Sequence, residues 1–200
     1  YKFAVNTKMK FFTPEMLFLE QKEDLPEIKY PIRPVYKSQP YNVNITPSNK
    51  EMIIMVGYPG SGKSFVANII AQKYGYVVIN QDTLKTLPKC VKEAKKHINQ
   101  GKSIIIDSTN PSDEKRKAWI DLGRDKNYRI RVIYMTTNIE QSKHNNYYRS
   151  LEQGKNLIPD IAYRMYISKF QKPELSDGID EIIMQEPGYP DDQNYFKYFF

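Results

Sequence analysis

The sequence predicts an α/β fold: a parallel sheet flanked by helices, preceded by an irregular N-terminal extension. Three observations carry that prediction. The apolar run 52–56 leads directly into Gly57-x4-Gly62-Lys63-Ser64, the pattern of a phosphate-binding loop set between a buried strand and a helix. Behind the loop, Val66, Ile69 and Ile70 recur at helical spacing up to Gly75, a residue type that readily ends helices. From there apolar runs and helix-period segments alternate, which implies parallel strands joined by right-handed helical crossovers.

Taken in order, residues 1–50 stand apart as extension and linker, and residues 51–200 are expected to form the P-loop domain. Residues 1–5 read as a short strand. Thr13 and Pro14 read as the cap and first position of a short amphipathic helix. Residues 25–50 are punctuated by Pro26, Pro31, Pro34, Pro40 and Pro47, which suits an extended linker lying on a surface. After the first core strand and the loop helix, residues 76–80 form a second strand. Residues 82–99 are mostly helical, with Pro88 dividing an opening turn from a main helix and Gly101 stopping it. Residues 102–107 form a third strand. Ser112 caps a helix to about residue 126, with Asp113 and Glu114 in its first turn and Trp119 and Leu122 on its buried face. Residues 129–135 make a fourth strand, 139–153 and 161–170 two helices, and 180–184 a last short strand. Ligands of such sheets lie at the carboxyl ends of the strands, where the glycine loop, Asp82, Asp107 and Asn110 are expected to meet.

Composition narrows the partners. Of 200 residues, 30 are Lys or Arg and 23 are Asp or Glu, giving a net charge of +7, and 40% are hydrophobic, enough for a core. The positive balance favours an anionic partner, nucleic acid first and a membrane surface second. Cys90 is the single cysteine, so the chain makes no internal disulfide and no cysteine cluster for zinc, and His97 and His144 are too isolated to build a metal site with it. No apolar run approaches the ~18 residues of a membrane span, and no signal peptide is visible. An intracellular protein, in the cytoplasm or nucleus, is expected. Because the chain starts at Tyr1, an upstream part is expected to exist.

The loop chemistry is specific. Glycines let the backbone curl around a phosphate, turning N–H groups and the positive helix end toward the anion. Lys63 then reaches the β- and γ-phosphates of a nucleoside triphosphate, and the Ser64 hydroxyl holds Mg2+. Gly57, Tyr58, Pro59, Gly60, Ser61, Gly62, Lys63, Ser64 and Phe65 make up the expected nucleotide-binding set. Asp82 is positioned either to accept the proton of an attacking hydroxyl or to cap the helix it opens. In Asp107-Ser108-Thr109-Asn110-Pro111, Asp107 is a candidate for assisting Mg2+ and Asn110 for orienting phosphate or substrate; the same residues also suit an Asx-type turn. A mobile basic helix after the fourth strand offers Lys143 and Arg149 to cover the transferring group, or is a solvated polar helix.

The segments GYPGSGKS, NQDTL, Cys90-Val91, GKSIIIDSTNP, EQSKHNNYYR and residues 160–173 resemble the kinase domain of polynucleotide kinase 3′-phosphatase, in order and spacing. Sequences of that family read G-[FY]-P-G-[AS]-G-K-S, N-R-D-T-L, I-D-N-T-N-P and H-N-N-R-F-R. The resemblance covers residues 51–184 well. Residues 1–18 more weakly resemble the tail of the phosphatase domain that precedes the kinase. It implies a P-loop kinase fold and transfer of the ATP γ-phosphate to the 5′-hydroxyl end of DNA or RNA in end repair, within a bifunctional protein. By position, Lys63 and Ser64 resemble the phosphate and Mg2+ ligands, Asp82 the general base, and Arg149 a lid arginine over the phosphates. Gln81 and Tyr147 stand where the family usually has arginine, and both remove positive charge beside the substrate. The phosphatase motif D-x-D-x-T appears nowhere in these residues, so removal of 3′-phosphates is not expected of this chain. A kinase for a small hydroxylated metabolite and a nucleic-acid-binding module with decayed catalysis stay open as alternatives.

Overall fold

The computed structural model describes residues 1, 3, 4, 7, 9–25, 41–189 and 192–196. Pro26, Pro31, Pro34 and Pro40, on which the linker expectation largely rests, lie outside the described residues. Five strands, β1 (Glu51–Val56), β2 (Val77–Asn80), β3 (Ile104–Asp107), β4 (Arg129–Met135) and β5 (Glu181–Gln185), form one sheet in the order β2-β3-β1-β4-β5. Every neighbouring pair is parallel. The helices are α1 (Pro14–Phe18), α2 (Lys63–Tyr74), α3 (Gln81–Leu84), α4 (Leu87–Asn99), α5 (Asp113–Arg124), α6 (Ile139–Gln153) and α7 (Asp160–Lys169). No helix among the described residues is long and apolar enough to cross a membrane.

The central strand explains the two-layered core. β1 is buried at every position, and the alternation of a strand sends successive side chains to opposite faces. Met52, Ile54 and Val56 join Cys90, Ala94 and Ile98 of α4 and Trp119 and Ile120 of α5 on one side. Ile53 and Met55 join Val66, Ala67 and Ile70 of α2 on the other. The polar residue of β1, Glu51, is fully buried and accepts hydrogen bonds from the Tyr76 hydroxyl (2.5 Å) and Arg131 (3.1 Å). Arg131 also donates to Glu181 (2.8 Å) and to the Thr46 carbonyl (3.0 Å). This network closes the end of the sheet opposite the glycine loop.

Two expectations fail in the extension. Phe3 and Ala4 are helical rather than strand, because the Thr7 and Met9 N–H groups bond back to the Phe3 and Ala4 carbonyls at 3.0 and 2.8 Å. Residues 41–45 are also not a surface linker. Val43 and Ile45 are buried against the α2 layer, and the Tyr74 hydroxyl donates to the Ile45 carbonyl at 3.2 Å. The alternation of half-buried or buried Tyr41, Val43 and Ile45 with exposed Asn42 and Asn44 is a period-two signal that the surrounding prolines hid.

Candidate active site

The loop between β1 and α2 is held in a shape that needs glycine. Gly60 and Gly62 have φ of +78° and +94°, where an L side chain is strained. A Cβ on Gly60 would lie 2.5 Å from the Ser142 carbonyl oxygen of α6. Gly62 is the N-cap of α2, and no side chain caps that end, so the first N–H groups and positive end of the helix are available to an anion. Lys63 is only 8% exposed. Its ammonium donates to the carbonyls of Gly57 (3.0 Å) and Tyr58 (2.6 Å) and to Ser61 Oγ (3.4 Å). Burial pulls its pKa down to about 8. The carboxylates of Asp107 and Asp82 oppose that shift, and the Arg149 guanidinium adds to it. Groups from α3, β3 and α6 therefore lie within electrostatic reach of the loop lysine.

Each was delivered there by local structure. Asn80 caps α3, its Oδ1 accepting from the N–H (2.9 Å) and hydroxyl (3.1 Å) of Thr83. Capping therefore does not use Asp82, whose exposed carboxylate makes no hydrogen bond among the described residues. Strand pairing sets Asn80 beside Asp107. The Asn80 amide donates to Asp107 Oδ2 at 2.6 Å and orients that carboxylate, which is 4% exposed. Arg149 is half-buried, and its Nε has no hydrogen-bond partner among the described residues. Ser64 is exposed in the first turn of α2. One hydroxyl and one carboxylate fit Mg2+, which takes few protein oxygens and completes its shell with phosphates and water. Among the described residues no cluster of three or more His, Cys, Asp or Glu side chains forms a protein cage for a metal.

Two expected substrate ligands have other partners. Asn110 sits at φ +41°, and its amide donates to the Met55 carbonyl (2.8 Å) and the Ser108 carbonyl (3.3 Å). Its amide nitrogen thus ties the loop after β3 to β1. Lys143 pairs with Asp160 of α7 at 3.0 Å and lies over the Tyr163 ring. Nor is α6 the loosely held helix expected: Gln141, Ser142, His144, Asn146 and Tyr148 are all buried. Its polar composition conceals a docked face that packs against protein rather than water.

Sequence reading missed three residues at the loop. The Tyr41 hydroxyl lies against Gly62, and its ring is 5.1 Å from that of Phe65. Asn145 of α6 donates to the Gly60 carbonyl at 2.8 Å. Tyr195, 1% exposed, bonds to Asn145 through its hydroxyl. Aromatic residues at the chain's far end carry no motif, so nothing in the sequence marks Tyr195.

Residues 52–90 and 85–173, which together hold the loop, Asp82, Asp107 and Arg149, match the family described as AAA domain. The chain belongs to the AAA domain family. This AAA domain is 36% identical over 187 residues to the bifunctional polynucleotide phosphatase/kinase of Schizosaccharomyces pombe, covering 90% of the chain and 45% of that protein. A protein of Acanthamoeba polyphaga mimivirus named for the same two activities is 37% identical over 195 residues, covering 90% of the chain and 46% of the viral protein. The chain thus spans about half the length of these curated relatives. Among solved structures, the AAA domain superposes on the PezAT toxin–antitoxin system of Streptococcus pneumoniae with a TM-score of 0.54 at 15% identity, covering 72% of this chain and 71% of that one. A sugar kinase from Janibacter gives 0.53 at 16% identity, covering 72% and 90%. At these identities the likeness speaks to the fold, that of a P-loop kinase.

Proposed function

We propose that the chain is an ATP-dependent polynucleotide 5′-hydroxyl kinase. The convergence of Asp82, Asp107 and Arg149 on Lys63 at an uncapped helix end carries the reading. The ATP phosphates bind the loop N–H groups, and Lys63 leaves the Gly57 and Tyr58 carbonyls for the β- and γ-phosphates. The 5′-hydroxyl oxygen forms a bond to the γ-phosphorus as the bond to the β–γ bridging oxygen breaks, and ADP departs. Asp82 takes the hydroxyl proton. Arg149 directs its fork of donors at the equatorial oxygens, where charge is spread in the transition state. Ser64 and Asp107 would hold Mg2+, which neutralises charge on the β- and γ-oxygens when bound.

A polynucleotide substrate is supported by the names of the two relatives and by charge. Lys85, which caps the end of α3, and Lys89, Lys92 and Lys95 of α4 are exposed on the chain that follows Asp82 and are available to backbone phosphates. Gln81, whose Oε1 accepts from Ser108 at 2.7 Å, contributes polarity there without charge. End repair in the cytoplasm or nucleus, beside an upstream phosphatase domain, completes the reading. The test is transfer of labelled γ-phosphate from ATP to a 5′-hydroxyl oligonucleotide, with a free nucleoside as control. Transfer to the oligonucleotide alone is expected. Preference for the nucleoside would mean a small-metabolite kinase, and ATP-dependent oligonucleotide binding without transfer would mean a decayed enzyme.

A further inference from the structure

We propose that Tyr195 is a positioning residue for the nucleotide, acting through Asn145 on the phosphate-binding loop. The inference rests on the ATP-site reading above. In a trans peptide the C=O and the following N–H point in opposite directions, and no peptide bond among the described residues is cis. Whatever grips a loop carbonyl on the outside therefore fixes which way the next N–H points. Two consecutive loop carbonyls are gripped by side chains that follow β4 in the chain. Asn145 Nδ2 donates to Gly60 O at 2.8 Å, and Thr137 Oγ1 donates to Ser61 O at 2.9 Å. The first grip sets the Gly60–Ser61 plane, whose N–H closes a turn onto the Tyr58 carbonyl at 3.1 Å. The second, by the same geometry, sets the Ser61–Gly62 plane and with it the direction of the Gly62 N–H at the start of α2.

Thr137 has a single hydroxyl to offer, but Asn145 has an amide with two unlike ends. A carbonyl only accepts, so Asn145 must present its nitrogen to Gly60 and leave Oδ1 facing away. The Tyr195 hydroxyl donates to that Oδ1, an arrangement that disfavours the reversed amide. Tyr195 is itself fixed. Its carbonyl bonds to His144 Nε2 at 2.5 Å, and its ring meets the edges of His144 (4.7 Å) and Tyr148 (5.0 Å). The Tyr148 hydroxyl bonds to Asp192 in turn. A segment beyond the last strand thereby reaches the loop through Asn145 of α6.

Tyr195→Phe removes the hydroxyl and keeps the packing. The expected result is about a fivefold rise in both the ATP Kd and the KM for ATP, the scale of one neutral hydrogen bond. The KM for oligonucleotide should hold, and the thermal midpoint should fall by no more than the few degrees that one lost buried hydrogen bond costs. Asn145→Ala should weaken ATP by a similar factor, and Tyr195→Phe should add almost nothing in that background. A lowered midpoint with unchanged ATP affinity, or additive losses in the double variant, would overturn the proposal. Direct ATP binding separates it from the functional reading. A wild type that binds ATP but transfers nothing defeats the kinase assignment and leaves Tyr195 judged on Kd, whereas one that binds no ATP defeats both.

Discussion

Gly60 has no spare room, and that makes it a sharp probe at the scale of one residue. Its φ is +78°, and an added methyl would stand 2.5 Å from the Ser142 oxygen, so Gly60→Ala carries two costs. The backbone strain alone is about 1 kcal/mol, and α6 must also shift off the loop. The expected outcome is at least a tenfold loss in kcat/KM for ATP, checked by steady-state kinetics. Lys63 offers a second test. Burial lowers its pKa to about 8, so the free protein keeps the ammonium below pH 8 and loses it above. ATP affinity should therefore fall between pH 8 and pH 9, and calorimetry in buffers of different ionisation heat should find proton uptake there. That Lys63 and Asp82 lie within electrostatic reach of each other was legible, because the glycine loop and the segment after the second strand both fall at the carboxyl ends of a parallel sheet. The partners of Asn110 and Lys143 were not legible, because a residue type does not name what it bonds; here they are Met55 and Asp160.

At the scale of elements, α6 decides how the site is covered. Lys143 and Arg149 lie on one helix, yet one is ion-paired to α7 and the other reaches the loop lysine electrostatically. Arg149→Lys is expected to reduce turnover by at least tenfold, since a point charge cannot reproduce two directed hydrogen bonds to the transition state. Lys143→Ala should alter turnover less than twofold, because an exposed pair of this kind is worth about 0–1 kcal/mol. Parallel kinetics on the two variants decide it; equal losses would mean the covering residue is misassigned. The strands and main helices were legible from period alone. The docking of α6 was not, because hydropathy cannot tell a solvated polar helix from one whose polar face is buried against protein.

At the scale of the molecule, the sheet separates chemistry at one end from a buried charge network at the other. Glu51 is raised above its ordinary pKa by burial, against the pull of the Tyr76 hydrogen bond and of Arg131. Arg131→Met would remove a lowering influence and raise it further. A carboxyl with a raised folded pKa is harmless where it is protonated in both states and costs stability as pH rises through the folded pKa. The stability gap between wild type and Arg131→Met should thus be small near pH 4 and widen to about 3 kcal/mol at neutral pH, as read by urea unfolding at both pH values.

The central claim is that the Lys63 site is a phosphoryl-transfer centre with Asp82 as its base. Single-turnover transfer to a 5′-hydroxyl oligonucleotide by wild type and Asp82→Asn, with ATP affinity measured on the same samples, addresses this most directly. Turnover should fall at least ~10²-fold, the scale of a lost general base, while ATP affinity stays nearly intact. Collapse of ATP affinity with turnover surviving at saturation would make Asp82 a nucleotide ligand and contradict that claim.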